Sequence, residues 1–356
     1  MAWFLLHAML LVPLTRAGII SPIVAVLDRV GAPVEKLLKR ANIPEWARTD
    51  PETLIPTSST ARLLADGART QGIENLGLLA GQDARIESLG VFGRLIRRSQ
   101  TVGEALREVV SYHPMFSSNG RMWLGSRDEQ VEFCQAFTNK FDKFDAGWQQ
   151  ANHYVLMLML GIVRLGGDPT WSPPQVDVQT GESAVLRDAE PPVAARLAFG
   201  QPATTITLPA TLLRQRLPPP SADVQMPGDS VDTWTASAPA RDFVTSVVQA
   251  IEMLSWGGYP SIHVTADFLG MSVRTLQRCL ATAGVTHEML VGKSRFATAA
   301  ALLEETDTKI LDIALDLGYS DHAHFTRAFR QWADCSPQEY RRRRGATPGS
   351  SEVTTT

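Results

Sequence analysis

Cysteine is scarce in this sequence of 356 residues, and the three present, Cys134, Cys279 and Cys335, stand far apart along the chain. An odd number of distant cysteines excludes a disulfide framework and gives none of the Cys-pair spacings of a zinc site. The pattern is typical of a reducing compartment, so we expect a cytoplasmic location. The simplest role for each cysteine is that of a small apolar side chain.

Long apolar runs are also absent. The run that opens the chain, residues 1–14, is shorter than the roughly 18 residues that a membrane-spanning helix needs. No Lys or Arg precedes it, which disfavours a signal peptide. Residues 1–17 are therefore an uncertain apolar N-terminus, either a helix packed on the first domain or the result of a start placed too early, since Met9 offers another start. We expect no membrane partner.

An excess of positive charge is missing as well, because 37 acidic residues face 34 basic ones and the net charge is −3. Any binding of nucleic acid must then depend on local placement of basic side chains. The sequence also lacks a Gly-x-Ser-x-Gly motif, a phosphate loop and a dinucleotide fingerprint. We therefore expect no enzymatic activity and no cofactor.

Proline and small polar residues mark the domain boundaries. Residues 217–240 contain Pro218, Pro219, Pro220, Pro227, Gly228 and Pro239. Consecutive prolines cannot extend a helix or fill a central strand, so these residues predict a linker. Residues 345–356 are small and polar and predict a disordered tail. Two folded domains remain, residues 18–216 and residues 241–344.

The pattern of the first domain predicts an α+β fold. Apolar residues recur at helical spacing between residues 18 and 110, and Thr101 and Glu104 have the spacing of a capping box. Residues 120–137 contain two apolar segments around a polar turn, which predicts a β-hairpin. A helix over residues 148–165 and strands near Val176, Val178 and residues 204–208 complete the prediction.

The sequence pattern of the second domain predicts an all-α fold, in which residues 264–283 form the first helix-turn-helix unit. Thr265 can cap a short helix, Gly270 allows the turn, and Ser272 can cap a second helix. The apolar face of that second helix holds Val273, Leu276 and Leu280.

The same pattern recurs in residues 310–333, with Gly318 at the turn. The inner face of the first helix holds Ile310, Ile313, Ala314 and Leu317. The inner face of the second holds Phe325, Ala328, Phe329 and Trp332. A long amphipathic helix that includes Phe296 and Leu303 would fix the separation of the two units. Both second helices can then enter successive major grooves on one face of a DNA duplex.

Many residues at fixed spacing carry a family resemblance. In the second unit they are Ile310, Ile313, Ala314, Leu317, Gly318, Tyr319, Phe325, Arg327, Phe329, Arg330, Ser336, Pro337, Tyr340 and Arg341. In the first unit and the long helix they are Ala266, Leu269, Met271, Ser272, Arg274, Leu276, Gln277, Arg278, Gly284, Arg295, Ala299, Leu302 and Leu303. With these residues, 241–344 resemble the DNA-binding domain of AraC/XylS-type regulators. Asp334 stands where that family often has Gly, and Asp tolerates the left-handed conformation of a helix end.

The resemblance implies a bacterial transcription factor that binds double-stranded promoter DNA and RNA polymerase. The implied DNA-binding residues are Arg274, Thr275, Gln277 and Arg278 in the first unit and His322, His324, Arg327 and Arg330 in the second. Arg can bind guanine and Gln can bind adenine in the major groove, while some of these side chains would contact phosphates. No third metal ligand lies near His322 and His324, so we expect no metal site. Residues 341–344, four arginines, either neutralise phosphates or form a solvated end.

Residues 18–216 resemble the "arabinose-binding" N-terminal domain of a subgroup of these regulators, through residues 89–93, residues 101–106 and Tyr112. The resemblance implies effector binding, homodimer formation, or both, and it does not make arabinose the ligand. Residues 151–165 could form a dimer helix. Six aromatic residues either line a pocket or fill the core: Phe116, Trp123, Phe133, Phe137, Trp148 and Tyr154.

We predict an activator that responds to a small-molecule effector. The alternatives are a repressor, a regulator without ligand whose first domain only dimerises, and an enzyme that a helix-turn-helix domain delivers to DNA. The last alternative needs a reactive cysteine, and Cys134 has no Cys or His beside it at ligand spacing.

Overall fold

The computed structural model describes residues 12–127, 129–137, 145–189, 193–219, 229–255 and 258–345. The chain divides into two compact units, Met1–Ser246 and Val247–Thr356. Most of the apolar N-terminal run and nearly all of the predicted polar tail lie outside the described residues. In the described ranges, no helix has both the length and the hydropathy to cross a membrane.

The first unit begins earlier than the predicted domain boundary at residue 18. Leu14–Arg16 forms strand β1, which pairs antiparallel with strand β2, Leu54–Pro56. All three residues of β1 are buried. The end of the apolar N-terminal segment therefore belongs to the fold of this unit, because its backbone donors and acceptors are used by β2 and its side chains by the core.

Helices are the commonest regular structure in the described part of the first unit. They are α1 Ser21–Arg29, α2 Val34–Arg40, α3 Thr57–Gln71, α4 Leu76–Gln82, α5 Val91–Arg97, α6 Val102–Phe116, α7 Ala146–Arg164, α8 Ala184–Arg187 and α9 Asp229–Ala236. Short 3-10 turns occupy Ala17–Ile20, Glu45–Arg48, Ile86–Leu89 and Ala210–Arg214. One half of the predicted capping box is confirmed at the start of α6, where Thr101 Oγ1 accepts from the backbone N–H of Glu104 at 3.2 Å. The other half differs, because its acceptor binds the residue before the N-cap. The Glu104 carboxylate accepts from the N–H of Gln100 at 2.7 Å.

A five-stranded sheet completes the α+β fold, in the order β3-β4-β7-β5-β6. The strands are β3 Arg121–Arg127, β4 Gln130–Ala136, β5 Val176–Val178, β6 Leu197–Phe199 and β7 Thr204–Pro209. The predicted hairpin is confirmed, with Trp123 opposite Cys134 in the antiparallel pair β3 and β4. Among the strands that the structure describes, β5 and β6 alone pair in parallel. The three cysteines are unpaired and buried, as expected for small apolar side chains.

Helix α7 is the centre of the first unit. Almost all of its side chains from Ala151 to Val163 are buried, and the Tyr154 hydroxyl donates to the carbonyl of Ile19 at 2.8 Å. The suggestion of a dimer helix at residues 151–165 is therefore wrong, because its apolar side chains are already buried within one chain. A homodimer would need another surface.

The predicted linker at residues 217–240 contains helix α9, which packs on the first unit. Trp234 is buried, and its indole N–H donates to the Glu52 carboxylate at 2.7 Å. The guanidinium of Arg16, itself only 2 % exposed, donates to the carbonyl oxygens of Trp234 at 2.7 Å and Ser237 at 3.0 Å. The prolines that suggested a linker precede or follow this helix, so they do not interrupt it.

Helix α10, Phe243–Met253, contains the boundary between the two units. The helices that follow are α11 Ile262–Phe268, α12 Val273–Thr282, α13 His287–Glu305, α14 Ile310–Asp316, α15 His322–Ala333 and α16 Pro337–Gly345. Pairs α11–α12 and α14–α15 are the two predicted helix-turn-helix units, with Gly270 and Gly318 at positive φ in the turns.

Two details of the helix-turn-helix predictions are wrong. Ser261, rather than Thr265, caps α11, because Thr265 lies one turn inside the helix. There its buried hydroxyl meets Nε2 of His287 at 2.9 Å, which ties α11 to α13. Trp332 is 44 % exposed instead of facing inward, and its ring stacks on Phe296 at the rim of the core.

Helix α13 connects the two helix-turn-helix pairs within the second compact unit of the chain. The guanidinium of Arg295 lies over the rings of Tyr259, which precedes the first helix-turn-helix, and Tyr319, which follows the second turn. The carbon-to-centroid distances are 4.9 and 5.2 Å. One cation between two aromatic faces fixes both segments against the same helix.

Replacing Asp334 by glycine should stabilise the second unit. Asp334 ends α15 at a φ of +53°, in the left-handed region, and places a carboxylate at a helix C-terminus. Glycine removes both the strain and the unfavourable charge, so we expect a gain of about 1 kcal/mol in urea denaturation. Asp334→Ala is the control, since it removes the charge but keeps the Cβ. A gain for alanine equal to that for glycine would contradict this explanation.

Candidate DNA interface and ligand cavity

The first recognition helix, α12, has one buried and one exposed side. Leu276, Cys279 and Leu280 are buried, while Arg274, Gln277 and Arg278 are exposed. Ser272 caps the helix by accepting from the N–H of Thr275 at 3.2 Å. The Thr275 hydroxyl lies 2.9 Å from that of Ser272 and is half-buried, so it takes part in the cap.

The second recognition helix, α15, follows the same plan. Phe325 and Phe329 are buried, and the predicted polar residues His322, His324, Arg327 and Arg330 are exposed. Asp321 caps the helix by accepting from the N–H of His324 at 2.7 Å. This hydrogen bond is the main reason that the pKa of Asp321 is lowered. The imidazole of His324 lies edge-on to the Tyr319 ring, 5.6 Å between centroids.

The basic residues near the C-terminus differ in their surroundings. Arg330 lies near Glu339, whose pKa is lowered mainly by hydrogen bonds from Ser336 and further by the charge of Arg330. Arg341 donates to the carbonyl oxygens of Leu303 and Thr308 at 3.3 and 2.7 Å, so it holds the end of α13. The side chains of residues 342 and 343 are exposed, and that of residue 344 lies outside the description. The exposed arginines of this run are free of the role that Arg341 has, and their contact with phosphate stays a prediction.

Within the described ranges, His, Cys, Asp and Glu side chains form no group of three that could hold a metal ion. The imidazoles of His322 and His324 are both exposed on α15.

The first unit contains a partly open cavity of about 90 Å³ beside α7. Four of the six aromatic residues considered for a pocket line it: Phe116, Phe137, Trp148 and Tyr154. The other two do not, since Phe133 is fully buried in the core and Trp123 lies on β3 beneath the guanidinium of Arg121. Of the two alternatives for these six residues, the pocket therefore applies to the four that line the cavity, and it does not apply to Phe133 and Trp123.

Sequence reasoning missed the seven polar residues that line this cavity, among them Thr60, His113, Asn119 and Gln135. Gln135 stands two residues after Phe133 in β4, and His113 stands four residues after Val109 in α6. Both therefore share a face with a buried apolar residue, because strands repeat every two residues and helices about every 3.6. A polar residue on an apolar face was the available signal.

Two buried histidines predict a loss of stability in acid. Burial lowers the pKa of His153 to about 4, and it lowers that of His113 to about 4 with the help of the Arg241 charge. The unfolded chain, with a pKa of 6.5, takes up protons first as the pH falls, so stability present above pH 6.5 is lost towards pH 4.

By this linkage, each histidine costs about 2 kcal/mol at pH 5 relative to neutral pH. Urea denaturation of the wild type and of His153→Leu at pH 7.5 and pH 5 isolates the loss of unfolding free energy that His153 causes, because all other titratable groups are common to both proteins. The variant should lose about 2 kcal/mol less than the wild type. Equal losses in both proteins would show that His153 does not cause the acid sensitivity.

Comparisons with known proteins match both units. The arabinose-binding N-terminal domain of AraC transcription regulators matches residues 31–217, which is more than half of the chain. A helix-turn-helix domain matches residues 265–343. The first match contains every residue that lines the cavity except Thr15 and Ile19, and the second contains both α12 and α15.

Relatives with regulatory names match in sequence. The ornithine utilization regulator of Pseudomonas aeruginosa is 25 % identical over 336 residues, 89 % of this chain and 94 % of that protein. The regulatory protein SoxS of Escherichia coli is 41 % identical over 86 residues, 23 % of this chain and 78 % of that protein. The crystal structure of the transcriptional regulator CdpR from Pseudomonas aeruginosa is 23 % identical, covers 87 % of this chain and 96 % of that chain, and has a TM-score of 0.37. The chain belongs to the AraC family of DNA-binding transcription regulators, with an N-terminal domain of the arabinose-binding type.

Proposed function

We propose that this protein is an effector-responsive transcription activator in the bacterial cytoplasm that reads promoter DNA with α12 and α15. The observation that carries the proposal is the matched pair of recognition helices. Each buries one face in its own helix-turn-helix unit and exposes polar side chains on the other. Recruitment of RNA polymerase is the proposed outcome of binding, and repression is the alternative.

In the first recognition helix, Arg274 and Arg278 are assigned to guanine edges and Gln277 to adenine. These pairings match the donors and acceptors that the bases present in the major groove. The Thr275 hydroxyl is already engaged in the cap, which suits it to a phosphate beside the helix N-terminus.

In the second recognition helix, His322, His324 and Arg327 are assigned to base edges. Arg330 is assigned to a phosphate, because it lies further along the helix and near Glu339. The stacking of Arg295 between Tyr259 and Tyr319 supports a fixed separation of the two helices. Rigid spacing favours simultaneous contact with two successive major grooves.

The cavity of the first unit is assigned to the effector. A largely apolar space with a few polar groups is typical of a small-molecule site. A first domain that only dimerises needs no such space, so the cavity favours the effector model over the ligand-independent alternative. A homodimer is compatible with both models.

A route for the effector signal passes through Arg16. Thr15, its neighbour in β1, lines the cavity. Arg16 donates to the carbonyl of Met115, at the end of α6, and to Trp234 and Ser237, at the end of α9. We propose that ligand binding biases this hold on α9, whose chain continues into the DNA-binding unit. Such a bias shifts the population of DNA-competent conformations.

A gel-shift salt series on the region upstream of its own gene tests the proposal. Residues 241–344 contain 12 Lys and Arg against 12 Asp and Glu, so positive charge must act locally. We expect a sequence-selective shift that weakens linearly in the logarithm of the salt concentration. A complex with equal affinity for scrambled DNA, or no complex at all, would contradict it.

A further inference from the structure

The cavity in the first unit combines an apolar lining with polar atoms that have no partner. Among the described residues, the buried atoms Thr60 Oγ1, His113 Nδ1, Asn119 Oδ1, Asn119 Nδ2 and Gln135 Oε1 accept or donate no hydrogen bond. Asn119 and Gln135 are each 1 % exposed. All four residues line the same cavity.

Such atoms lower the stability of the folded protein. A buried donor or acceptor without a partner destabilises a fold by about 1–3 kcal/mol. Here the atoms come from three separate elements, since Thr60 lies in α3, His113 in α6 and Gln135 in β4. Groups from distant parts of the chain that converge on one space indicate an occupant with both hydrogen-bond donors and acceptors.

Charge restricts the occupant further. The described lining contains no Asp, Glu, Lys or Arg. His113 stays neutral near pH 7, because burial and the charge of Arg241 lower its pKa to about 4. An ionised ligand would therefore lose its hydration without gaining a counter-charge, at a cost of several kcal/mol.

The hydroxyls of Thr15, Thr57 and Ser117 also line the cavity, but each already makes a hydrogen bond within the protein. The remaining lining is hydrocarbon and aromatic. It includes Phe92, Met122, Trp148, Val155, Leu158 and Ile162. A sugar carries a hydroxyl on nearly every carbon and would leave most of them facing these side chains without a hydrogen bond. Arabinose, in the name of the domain family, and ornithine, in the name of one relative, both fit this lining poorly.

We infer that the effector of this protein is a small uncharged amphiphile, with an apolar body against α7 and an amide or hydroxyl group bound by Thr60, His113, Asn119 and Gln135. This inference rests on the effector role proposed above for the first unit. Asn119 offers both a donor and an acceptor, as a primary amide requires, while Gln135 Oε1 is an acceptor.

Calorimetric titration of the full chain with four six-carbon probes and two other compounds tests the inference. Hexanamide and 1-hexanol are the neutral probes, hexanoate and hexylammonium are ionised analogues of matched length, and arabinose and ornithine complete the set. We expect the neutral probes to bind at least tenfold more tightly than each of the others. Binding of an ionised probe, arabinose or ornithine as tight as that of hexanamide, or no binding of either neutral probe, would overturn the inference.

Asn119→Leu separates a ligand site from a merely buried amide. The change removes two unpaired polar atoms with little change in volume, so the free protein should unfold at an equal or higher urea concentration. Hexanamide binding should weaken at least tenfold. Leu158→Met, an apolar change in the same lining, is the control and should keep hexanamide affinity within threefold. Unchanged hexanamide binding by Asn119→Leu would contradict the assignment.

Failure of this inference and failure of the effector role are distinguishable. Calorimetry needs no DNA, whereas the effector role predicts that hexanamide changes affinity in the gel shift. Binding of hexanamide without any effect on DNA affinity would reject the effector role and keep the ligand class. A change in DNA affinity with ornithine alone would keep the effector role and reject the proposed ligand class.

Discussion

Replacing Arg274 and Arg327 together by alanine is expected to abolish sequence-selective DNA binding while leaving the fold intact. Both side chains are exposed, so their removal opens no cavity. An arginine that binds a guanine edge contributes about 1–3 kcal/mol of discrimination. Each single variant should then lose roughly ten- to hundredfold in affinity for the cognate site, and the double variant should lose selectivity altogether. Gel shift on cognate and scrambled duplexes measures both losses.

Arg69→Ala is the matched control for these variants. Its side chain is 69 % exposed and lies in the first unit, and the change removes the same charge. The slope of affinity against salt separates base contact from phosphate contact, because loss of one phosphate contact lowers the slope by about one. If Arg274→Ala and Arg327→Ala behave like Arg69→Ala on the cognate duplex, neither residue reads DNA.

Replacing Arg16 by methionine should destabilise the first unit by about 3–5 kcal/mol, the usual cost of removing one partner of a buried charged network. Burial lowers the pKa of Arg16, and the carboxylates of Glu52 and Asp50 oppose that shift. Its five hydrogen bonds go to Met115, Glu52, Trp234 and Ser237. Methionine keeps the apolar stem of the side chain but supplies none of the donors. The Ser237 carbonyl then loses its hydrogen bond from Arg16, and the Trp234 carbonyl keeps the one from the Ser237 hydroxyl.

Native-state hydrogen exchange measures this effect without assuming that the two units unfold together. Exchange of the α9 amides should accelerate most, because that helix loses its anchor. Arg48→Met is the control, since Arg48 pairs with Asp28 at the surface at 3.2 Å, and such a pair contributes about 0–1 kcal/mol. Equal effects of the two changes, or unaltered exchange in α9, would remove Arg16 from the proposed signal route.

Most of the second unit could be predicted from sequence because local interactions define it. The Ser272 cap, the glycines at the two turns and the buried face of α12 each involve residues within four positions of one another. The error at Trp332 arises where α15 meets α13, since that contact joins residues that are distant in the chain. The error at Thr265 is local, because Ser261 offers a second capping residue four positions earlier.

The first unit was less predictable for the same physical reason. Its secondary structure follows from periodicity, but the cavity depends on where α3, α6 and β4 are placed relative to α7. Periodicity shows that Gln135 shares a face of β4 with Phe133. It does not show that this part of the face lines a cavity. Helix α9 escaped prediction because the nearby prolines dominate the local pattern, while Trp234 is held by Arg16 and Glu52 from the other end of the unit.

Methylation interference on the upstream duplex tests the central claim most directly, because the N7 atom of guanine lies in the major groove. Two tracts of interference should lie on one face of the duplex, about 10 base pairs apart, as expected for two helices in successive grooves. Arg274→Ala should relieve interference in one tract and Arg327→Ala in the other. A single tract, or two tracts half a turn out of phase, would contradict the account.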